Sequence, residues 1–515
     1  MGTKVNSNYE DLITYTRASK GHALRPVSYG TELVTNGTFD TDTTGWTSIR
    51  SSLLSVESGR LRITNDGNGN GGAVASVPTT VDNVYQVEVT GYHGTAGGAK
   101  FRLGTTSAGV DITADITQTD GETTRFIFVA PSSTAYITLY ASSGTTTGVY
   151  SEYDNISVKE VLFDQPDGTL TLFEHPDNVP RVEWDADGNR LGLLVEESRT
   201  NLITYSEDFS NAYWSKLGSS SIVSTDNLAP DGTLTASEIS IGSGQSYIRR
   251  SEYSISVTDH SASFWVKAAS SGSATAIRLT TNNTAAWGTG VSSKLTLTSE
   301  WQRIEVKGDL NSLAPSLNLL LGNADENNAV DTDCVGNVLV WGAQLEEASF
   351  PTSYIKSNSG STTTRSADVA SIPVADFGWN QSAGTVTVEV DSLMTTLVGN
   401  PMAYNFNNGT SQERLTVFAS QGTWRFVATD GNTQQSSLLV GTFGEAKIAS
   451  SFEQNKFNHC VNATLGTEDT SGTMPTITEL GIGSQLGGNQ LNGHIKSIQY
   501  YPRRLTNAQL VDLTS

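Results

Sequence analysis

Short runs in which every second residue is apolar dominate this chain. In VYQVEVTGY (84–92), the apolar Tyr85, Val87 and Val89 alternate with polar residues. Alternation with a period of two is typical of β-strands that bury one face. Glycine-rich stretches such as DGNGNGG (66–72) separate the runs and supply residues that tolerate turn conformations. The pattern predicts an all-β protein.

A segment near residue 31 returns near residue 200. Leu33, Phe39 and Trp46 in the first copy match Leu202, Phe209 and Trp214 in the second. Repeated aromatic residues at the first strand of a sandwich usually fill its core, so we interpret them as core residues rather than sugar platforms. The strands that follow also match in order: HSASFWVKA (260–268) with VYQVEVTGY (84–92), WQRIEVKGDL (301–310) with TRFIFVAP (124–131), APSLNLLLGN (314–323) with TAYITLYAS (134–142), and GNVLVWGAQLEE (336–347) with YDNISVKEV (153–161).

A repeat of this length predicts a duplicated domain. With 515 residues the chain is too long for one core, and we expect about three domains. Eight or so short strands per copy predict jelly-roll sandwiches. The predicted segments are an N-terminal attachment segment (1–28), a first jelly roll (29–161), a hairpin-rich connector (162–198), a second jelly roll (199–350), an extended connector (351–382) and a C-terminal β-sandwich (383–515).

The charge balance is strongly acidic, with 31 Lys and Arg against 53 Asp and Glu and a net charge of −22. An acidic surface disfavours nucleic acids and anionic membranes. No apolar run is long enough to span a bilayer, and the first residues lack the apolar stretch of a secretory leader. We expect no membrane insertion, and synthesis in a cytoplasm. Cys334 and Cys460 fall in different predicted domains, which argues against a disulfide.

Three residues are candidates for glycan contact because aromatic faces can stack on sugar rings. Trp287 lies in TTNNTAAWGTG, a polar stretch that we interpret as a loop with an exposed ring. Tyr92 and His93 precede the HGTAGG loop. A purely structural role is the alternative for each.

Two arginines in similar settings, Arg17 in YTRAS and Arg365 in TTRSA, are candidate structural anchors at a domain junction. A buried guanidinium would bind carbonyls or a carboxylate through its planar array of donors. Glu196 and Glu197 are the candidate partners, and solvent exposure of both arginines is the alternative.

Metal and catalytic motifs carry little signal. Asp185, Asp187, Asn189 and Glu196 share part of a calcium-loop spacing, but Gly188 falls at the wrong position. We interpret DADGN as a hairpin turn, leave open a structural Ca²⁺ without assigned ligands, and predict no other cofactor. The sequence has no nucleophile elbow, HExxH motif or phosphate-binding loop, so we predict that the protein is not an enzyme.

Several segments resemble known families. The C-terminal sandwich, through Gly483, NGHI (492–495) and RRLT (503–506), resembles laminin-G-like and concanavalin-like domains. NGTFDTDTTGW (36–46) and YDNISVKEV (153–161) resemble the ends of a carbohydrate-binding-module jelly roll, and the second copy is similar. The resemblance implies glycan binding.

Three separate pieces together resemble bacteriophage virion proteins: YTRAS (15–19), residues 179–209 from VPRVEWD to YSEDF, and TRSADVAS (364–371). In such proteins the first jelly roll would be an insertion between the first two pieces. The resemblance implies a virion surface protein, most simply a tail fibre or spike that attaches to a host-surface glycan. A capsid-decorating or neck-associated head fibre, and a polysaccharide-degrading enzyme, stay open as alternatives. Implied partners are other virion proteins and further copies of this chain, as a trimer.

Overall fold

The structure is a computed structural model, which describes residues 13–142, 146–253, 259–283, 286–309, 317–357, 360–394 and 397–515. Nearly every regular element in these ranges is a strand, and the strands form packed sheets, so the predicted all-β, multi-domain fold class is confirmed. Within the same ranges, no helix has the length and apolar character required to cross a bilayer.

The chain divides into two compact units. One comprises residues Arg25–Leu170 and the other comprises Met1–Leu24 together with Thr171–Ser515, so the first is an insertion into the second in chain order. The strands up to the end of the inserted unit are β1 (Thr14–Thr16), β2 (Gly21–Tyr29), β3 (Thr47–Ile49), β4 (Leu53–Glu57), β5 (Arg60–Thr64), β6 (Gly72–Pro78), β7 (Val84–Tyr92), β8 (Ala99–Gly104), β9 (Thr113–Thr117), β10 (Thr123–Val129), β11 (Thr134–Ala141) and β12 (Tyr150–Phe163).

The inserted unit is a two-sheet sandwich, called here the first sandwich. One sheet has the order β3-β6-β11-β8-β9. In the other, the strands of the sandwich have the order β4-β5-β12-β7-β10, and β2 pairs with the end of β12. Val87 and Val89 of β7, which the alternation places on the apolar face, are fully buried between the sheets with Phe101 and Leu139. The predicted first jelly roll, 29–161, lies inside this unit.

The second sandwich repeats this topology. Its strands, with those leading into it, are β13 (Thr169–His175), β14 (Val182–Trp184), β15 (Arg190–Val195), β16 (Arg199–Asn201), β17 (Ser215–Leu217), β18 (Ser221–Asn227), β19 (Ala236–Ile241), β20 (Tyr247–Tyr253), β21 (Asp259–Ala268), β22 (Ala276–Asn283), β23 (Ala286–Thr296), β24 (Gln302–Asp309), β25 (Leu317–Gly322) and β26 (Gly336–Glu346).

The sheet orders are β17-β20-β25-β22-β23 and β18-β19-β26-β21-β24, which match the first sandwich strand for strand. The four strand pairs matched by sequence, β7 with β21, β10 with β24, β11 with β25 and β12 with β26, occupy corresponding positions. A short 3₁₀ helix, Thr332–Cys334, precedes β26. The shared order shows that the two sandwiches have the same fold.

The C-terminal sandwich draws strands from three parts of the chain. Before the sandwich begins, β27 (Thr363–Arg365) pairs with β16 in a separate two-stranded sheet. The elements of the sandwich itself are β28 (Val369–Pro373), β29 (Ala383–Val390), β30 (Met402–Asn407), β31 (Arg414–Ser420), β32 (Thr423–Asp430), β33 (Thr433–Val440), β34 (Ala446–Glu453), β35 (Lys456–Val461), β36 (Thr464–Leu465), β37 (Glu479–Ile482), β38 (Gly493–Tyr501), a 3₁₀ helix (Val374–Asp376) and α1 (Asn507–Leu513).

Its two seven-stranded sheets are β1-β28-β37-β30-β31-β32-β33 and β14-β15-β38-β29-β34-β35-β36. The N-terminal β1 therefore completes one sheet, and the β14–β15 hairpin of the predicted connector completes the other. Thr506 is the N-cap of α1, since its side chain accepts a hydrogen bond from the Gln509 backbone N–H. Cys334 and Cys460 are both free and buried.

Two segments expected to be peripheral are built into this unit instead. Of the predicted attachment segment, residues 1–12 lie outside the described part, whereas Thr14–Thr16 pairs with Val369–Ser371. The predicted extended connector 351–382 contributes β27 and β28, and its Tyr354 and Asp368 are buried. The physical reason is that the neighbouring sheets bury the apolar groups of these segments and provide partners for their backbone hydrogen bonds.

Candidate functional site

The repeated aromatic residues fill the cores of the first two sandwiches. Phe39 is 0% exposed and Trp46 7%, while Phe209 is 0% exposed and Trp214 1%. Each pair is in ring contact, with centroids 5.6 Å apart in the first sandwich and 5.2 Å apart in the second. Rings enclosed in the core between two sheets cannot stack on a ligand, so any binding surface lies elsewhere.

The outer face of the β3-β6-β11-β8-β9 sheet carries an unusual set of side chains. On β11, Ile137 and Leu139 face the core, so Thr138 and Tyr140 face outward by the period of the strand. On the neighbouring β8, Lys100 lies opposite Tyr140 and Arg102 lies opposite Thr138. We call these four residues, together with Arg50, the Tyr140 face.

Two guanidinium groups cover the Tyr140 ring. The Arg102 Cζ atom lies 4.4 Å from the ring centroid and the Arg50 Cζ atom 5.3 Å from it. These distances fit cation–π contacts. Although it lies on the outer face of the sheet, Tyr140 is only 1% exposed and Thr138 is 0% exposed.

Three buried polar atoms of this face have no hydrogen-bond partner among the described residues: Oη of Tyr140, Oγ1 of Thr138 and Nε of Arg102. A buried polar group without a partner costs about 1–3 kcal/mol. Three such atoms on adjacent strands therefore make a place where a ligand with hydroxyl or carboxylate groups would recover free energy. The Arg102 guanidinium is otherwise held by Asp115, with Nη2 2.7 Å from the carboxylate.

The Tyr140 hydroxyl keeps its proton at neutral pH. Burial raises the pKa of Tyr140, while the nearby Arg102 and Arg50 act in the opposite direction. The phenol can therefore donate a hydrogen bond to a ligand as well as accept one.

Arg50 reaches this face from a strained turn between β3 and β4. Arg50 and Ser51 both have φ near +55°, a region that residues other than glycine and asparagine rarely adopt. Consecutive positive φ values are typical of tight hairpin turns, which normally contain Asn-Gly. Strain of this kind concentrates at functional sites, and here it places a cation above an aromatic ring.

The corresponding face of the second sandwich carries its tyrosine in a different setting. There the tyrosine is not on β25, the strand equivalent to β11, but on the neighbouring β20, where Tyr247 lies opposite Gly322 of β25. Tyr247 packs against Leu320, Ala324 and Leu217. The Tyr140 face is thus a feature of the first sandwich, although the sandwiches share a topology.

None of the three residues predicted to contact glycans belongs to this face. Tyr92 ends β7 in the other sheet of the first sandwich, and the Arg60 Cζ atom lies 3.5 Å from its ring centroid. Half-buried His93 is 2.9 Å from the Gln118 carbonyl through Nε2. Trp287 was expected in a loop, but its backbone belongs to β23, because β22 and β23 pair closely up to Asn283 and Ala286. The Trp287 side chain lies outside the described part.

The two predicted anchor arginines meet in one buried network. Arg365 contacts the Glu196 carboxylate at 3.0 Å and donates to the Glu197 carbonyl at 2.6 Å. Arg17 lies 3.4 Å from Asp368. A third arginine, Arg181, joins both carboxylates, contacting Glu196 at 2.8 Å and also Asp368.

The side chains of these ions are at most 1% exposed. Arg181 and Asp368 were not singled out from the sequence, although both lie in the segments 179–209 and 364–371. Spacing in the sequence could not reveal them, because Asp368 lies 172 or more positions away from its partners Glu196 and Arg181. The Tyr140 face was also missed. In the sequence this face is marked by an aromatic residue, Tyr140, at a strand position where the alternation predicts an outward-facing polar residue.

The DADGN segment is a hairpin turn. The Asp185 carboxylate accepts hydrogen bonds from the backbone N–H groups of Asp187 and Asn189, at 3.0 and 2.7 Å. Among the described residues, no group of three or more His, Cys, Asp or Glu side chains is placed to hold a metal ion.

The fold and these two sites define a multi-domain β-sandwich protein with two jelly rolls and a C-terminal sandwich of two seven-stranded sheets. No protein-family model matches the sequence, and no curated protein matches it.

Solved structures align at low similarity. The N-terminal CBM22-1–CBM22-2 tandem domain of Paenibacillus barcinonensis Xyn10C aligns over 63% of this chain and 99% of its own, at 13% identity and a TM-score of 0.23. Domains LG4-5 of the mouse laminin α1 chain align over 53% of this chain and 93% of their own, at 10% identity and a TM-score of 0.18. Trypanosoma rangeli sialidase aligns over 91% and 98%, at 9% identity and a TM-score of 0.22. At these TM-scores the alignments carry no argument about function.

Proposed function

We propose that this protein is a bacteriophage virion surface protein, of the tail fibre or spike type, that attaches to a host-surface glycan through the Tyr140 face. The observation that carries the binding proposal is the set of unpartnered polar atoms on Tyr140, Thr138 and Arg102. Attachment of this kind requires no catalytic step.

A saccharide suits this face chemically. Binding sites usually combine an apolar or aromatic surface with a few convergent polar groups. Sugar hydroxyls both donate and accept hydrogen bonds, so one ring could serve the Tyr140 and Thr138 hydroxyls and the Arg102 N–H together. Arg50, which lies over the Tyr140 ring, is itself exposed, so the face meets solvent at this residue.

The virion part of the proposal is supported by the resemblance of three sequence segments to phage virion proteins. Arg17, Arg181, Glu196, Arg365 and Asp368 lie in those segments, and their side chains form the buried network. The inserted position of the first sandwich agrees with the arrangement that the resemblance implies. A framework with an inserted binding domain suits a protein that displays a ligand site on a particle.

The binding proposal is tested with the full-length protein and surface polysaccharides purified from candidate host cells. We expect Tyr140→Phe, which keeps the ring and removes the hydroxyl, to weaken binding about fivefold to tenfold. Tyr247→Phe is the matched control, because Tyr247 lies at the equivalent strand pair of the second sandwich. Absence of binding by the unaltered protein, or equal effects of both variants, would contradict the proposal.

The location on the virion is tested by imaging particles with an antibody to the first sandwich. Label at the tail with a few trimers per particle is the expected result. Tens to hundreds of copies over the shell would instead support the capsid-decorating alternative. Release of reducing sugars from host polysaccharide would contradict a purely attaching role.

A further inference from the structure

The Tyr140 face carries three cationic residues in a chain that is otherwise strongly acidic. Lys100 lies directly across from Tyr140 on β8, and Arg102 and Arg50 lie over its ring. Among the described residues, Asp115 is the carboxylate paired with this group, and it contacts Arg102. Neither Lys100 nor Arg50 forms an ion pair within the described ranges. The Tyr140 face therefore carries excess positive charge in a protein of net charge −22.

The second sandwich shows what the same position looks like when it is neutralised. Arg278 of β22 lies opposite Gly322, as Lys100 lies opposite Tyr140 in the first sandwich. The Arg278 guanidinium is 3.3 Å from Asp331. Lys294 on the neighbouring β23 contacts the same Asp331 at 2.7 Å and Asp333 at 3.1 Å. Arg278 and Lys294 thus have carboxylate partners from their own chain, whereas Lys100 and Arg50 form no ion pair among the described residues.

We infer that the Tyr140 face takes an acidic saccharide, whose carboxylate binds between Lys100 and Arg102. This inference rests on the proposed glycan-binding function and adds the class of sugar. The unpartnered Arg102 Nε would donate to one carboxylate oxygen and the Lys100 ammonium to the other, while the Tyr140 hydroxyl would bind a neighbouring sugar hydroxyl. Charge-assisted hydrogen bonds of this kind are about twice as strong as neutral ones.

Electrostatics favours this class over a neutral sugar. A negatively charged chain repels polyanions at long range, so net attraction requires a local group of unneutralised cations. Close to the partly buried Arg102 guanidinium and the buried Tyr140 phenol, a charge pair is screened less than at an exposed surface. A neutral sugar would satisfy the hydroxyl groups but leave Lys100 and Arg50 without a counter-charge.

The experiment measures binding of the full-length protein to polygalacturonate, alginate, hyaluronate and polysialic acid, each in its native form and after chemical reduction of its carboxyl groups. Xylan and dextran are the neutral probes. The variants are Lys100→Gln and Tyr140→Phe, with Lys307→Gln as the control for loss of one positive charge, since Lys307 is an exposed residue of β24 in the second sandwich. Thermal unfolding verifies that each variant is folded.

We expect at least one native acidic polymer to bind about tenfold or more tightly than its reduced form. Lys100→Gln should remove most of that difference, Lys307→Gln should not, and raising the salt concentration should weaken binding. Equal binding of native and reduced polymers, or of neutral polymers alone, would overturn the acidic class while leaving glycan binding intact. Acidic-polymer binding that is unchanged in Lys100→Gln and Tyr140→Phe would overturn this site. Binding to no polymer would overturn both proposals.

Discussion

Arg181 and Glu196 form a salt bridge of 2.8 Å in which both side chains are fully buried. The same Glu196 oxygen, Oε2, also accepts a hydrogen bond of 2.6 Å from the Ser353 hydroxyl and lies 3.0 Å from Arg365. The network joins residues that lie before and after the second sandwich in the sequence. It therefore fixes how distant parts of the chain meet in this unit.

Replacing Arg181 by methionine should strongly destabilise the unit that contains it. The change leaves two buried carboxylates with fewer partners, and breaking a buried pair in this way costs about 3–5 kcal/mol. Chemical denaturation gives the free energy of unfolding. Lys456→Met is the control, because Lys456 pairs with Glu453 at 3.6 Å on the surface, where such pairs contribute about 0–1 kcal/mol. Similar losses of unfolding free energy in the two variants would show that the buried network stabilises the fold no more than a surface ion pair does.

Acid should weaken the fold through Glu196. Burial alone would raise the pKa of Glu196, but Arg365 and Arg181 outweigh it and lower the pKa from 4.5 to about 2. The folded-state pKa is below the unfolded value, so the contribution is complete above pH 4.5 and is lost as the pH falls towards 2. We expect Glu196→Gln to have a lower free energy of unfolding at pH 7 and a flatter dependence between pH 5 and 2. Parallel pH profiles of the two proteins would refute this role.

Alkali should weaken the contact made by His494. Burial opposes its charged form, yet hydrogen bonds of 2.8 Å to Asp391 and Glu183 raise the pKa of His494 to about 9. Because the pKa of His494 is higher in the folded than in the unfolded protein, its protonation stabilises the fold fully below the unfolded-state pKa near 6.5. This stabilisation disappears as the pH rises through 9.

The free energy of unfolding should therefore fall by roughly 3 kcal/mol between pH 6.5 and 9, from a shift of this size. The His494→Gln variant cannot titrate and should lose most of that slope. Denaturant midpoints at six pH values measure it. A variant with the same slope as the unaltered protein would assign the pH dependence to other groups.

The two equivalent core tryptophans should respond differently to shortening. The Trp214 indole N–H donates to the Tyr205 carbonyl at 2.9 Å, whereas the Trp46 indole N–H is buried without a partner among the described residues. Trp214→Phe loses that hydrogen bond as well as ring volume, while Trp46→Phe removes an unsatisfied group. We expect Trp214→Phe to cost about 1 kcal/mol more. Calorimetry on the full-length protein measures both, and a larger cost for Trp46→Phe would be contrary to this account.

Much of the fold could be read from local pattern. The alternation in residues 84–92 predicts β7 correctly, and the matched segments predict corresponding strands in two sandwiches. These features are accessible because strand periodicity and core aromatics are properties of neighbouring residues. The interpretation of residues 280–290 as a loop was wrong at Trp287, because paired strands can also carry polar residues.

The sites depended on contacts that no local pattern contains. Arg17 and Arg365 could be suspected from their motifs, but not their meeting with Arg181 and Asp368. The Tyr140 face required the β8–β11 register, which sets Lys100 opposite Tyr140. A shift of one residue would turn each side chain to the other face.

The amino-acid sequence by itself determined that the chain is all-β, that two jelly rolls repeat and that Phe39, Trp46, Phe209 and Trp214 belong to cores. Only the tertiary structure decided that β1 and the β14–β15 hairpin complete the C-terminal sandwich and that cations gather on the Tyr140 face. The reason is physical. Which side of a strand is apolar depends on residues two positions apart, whereas which strands pair, and in what register, depends on the free energy of packing the whole unit.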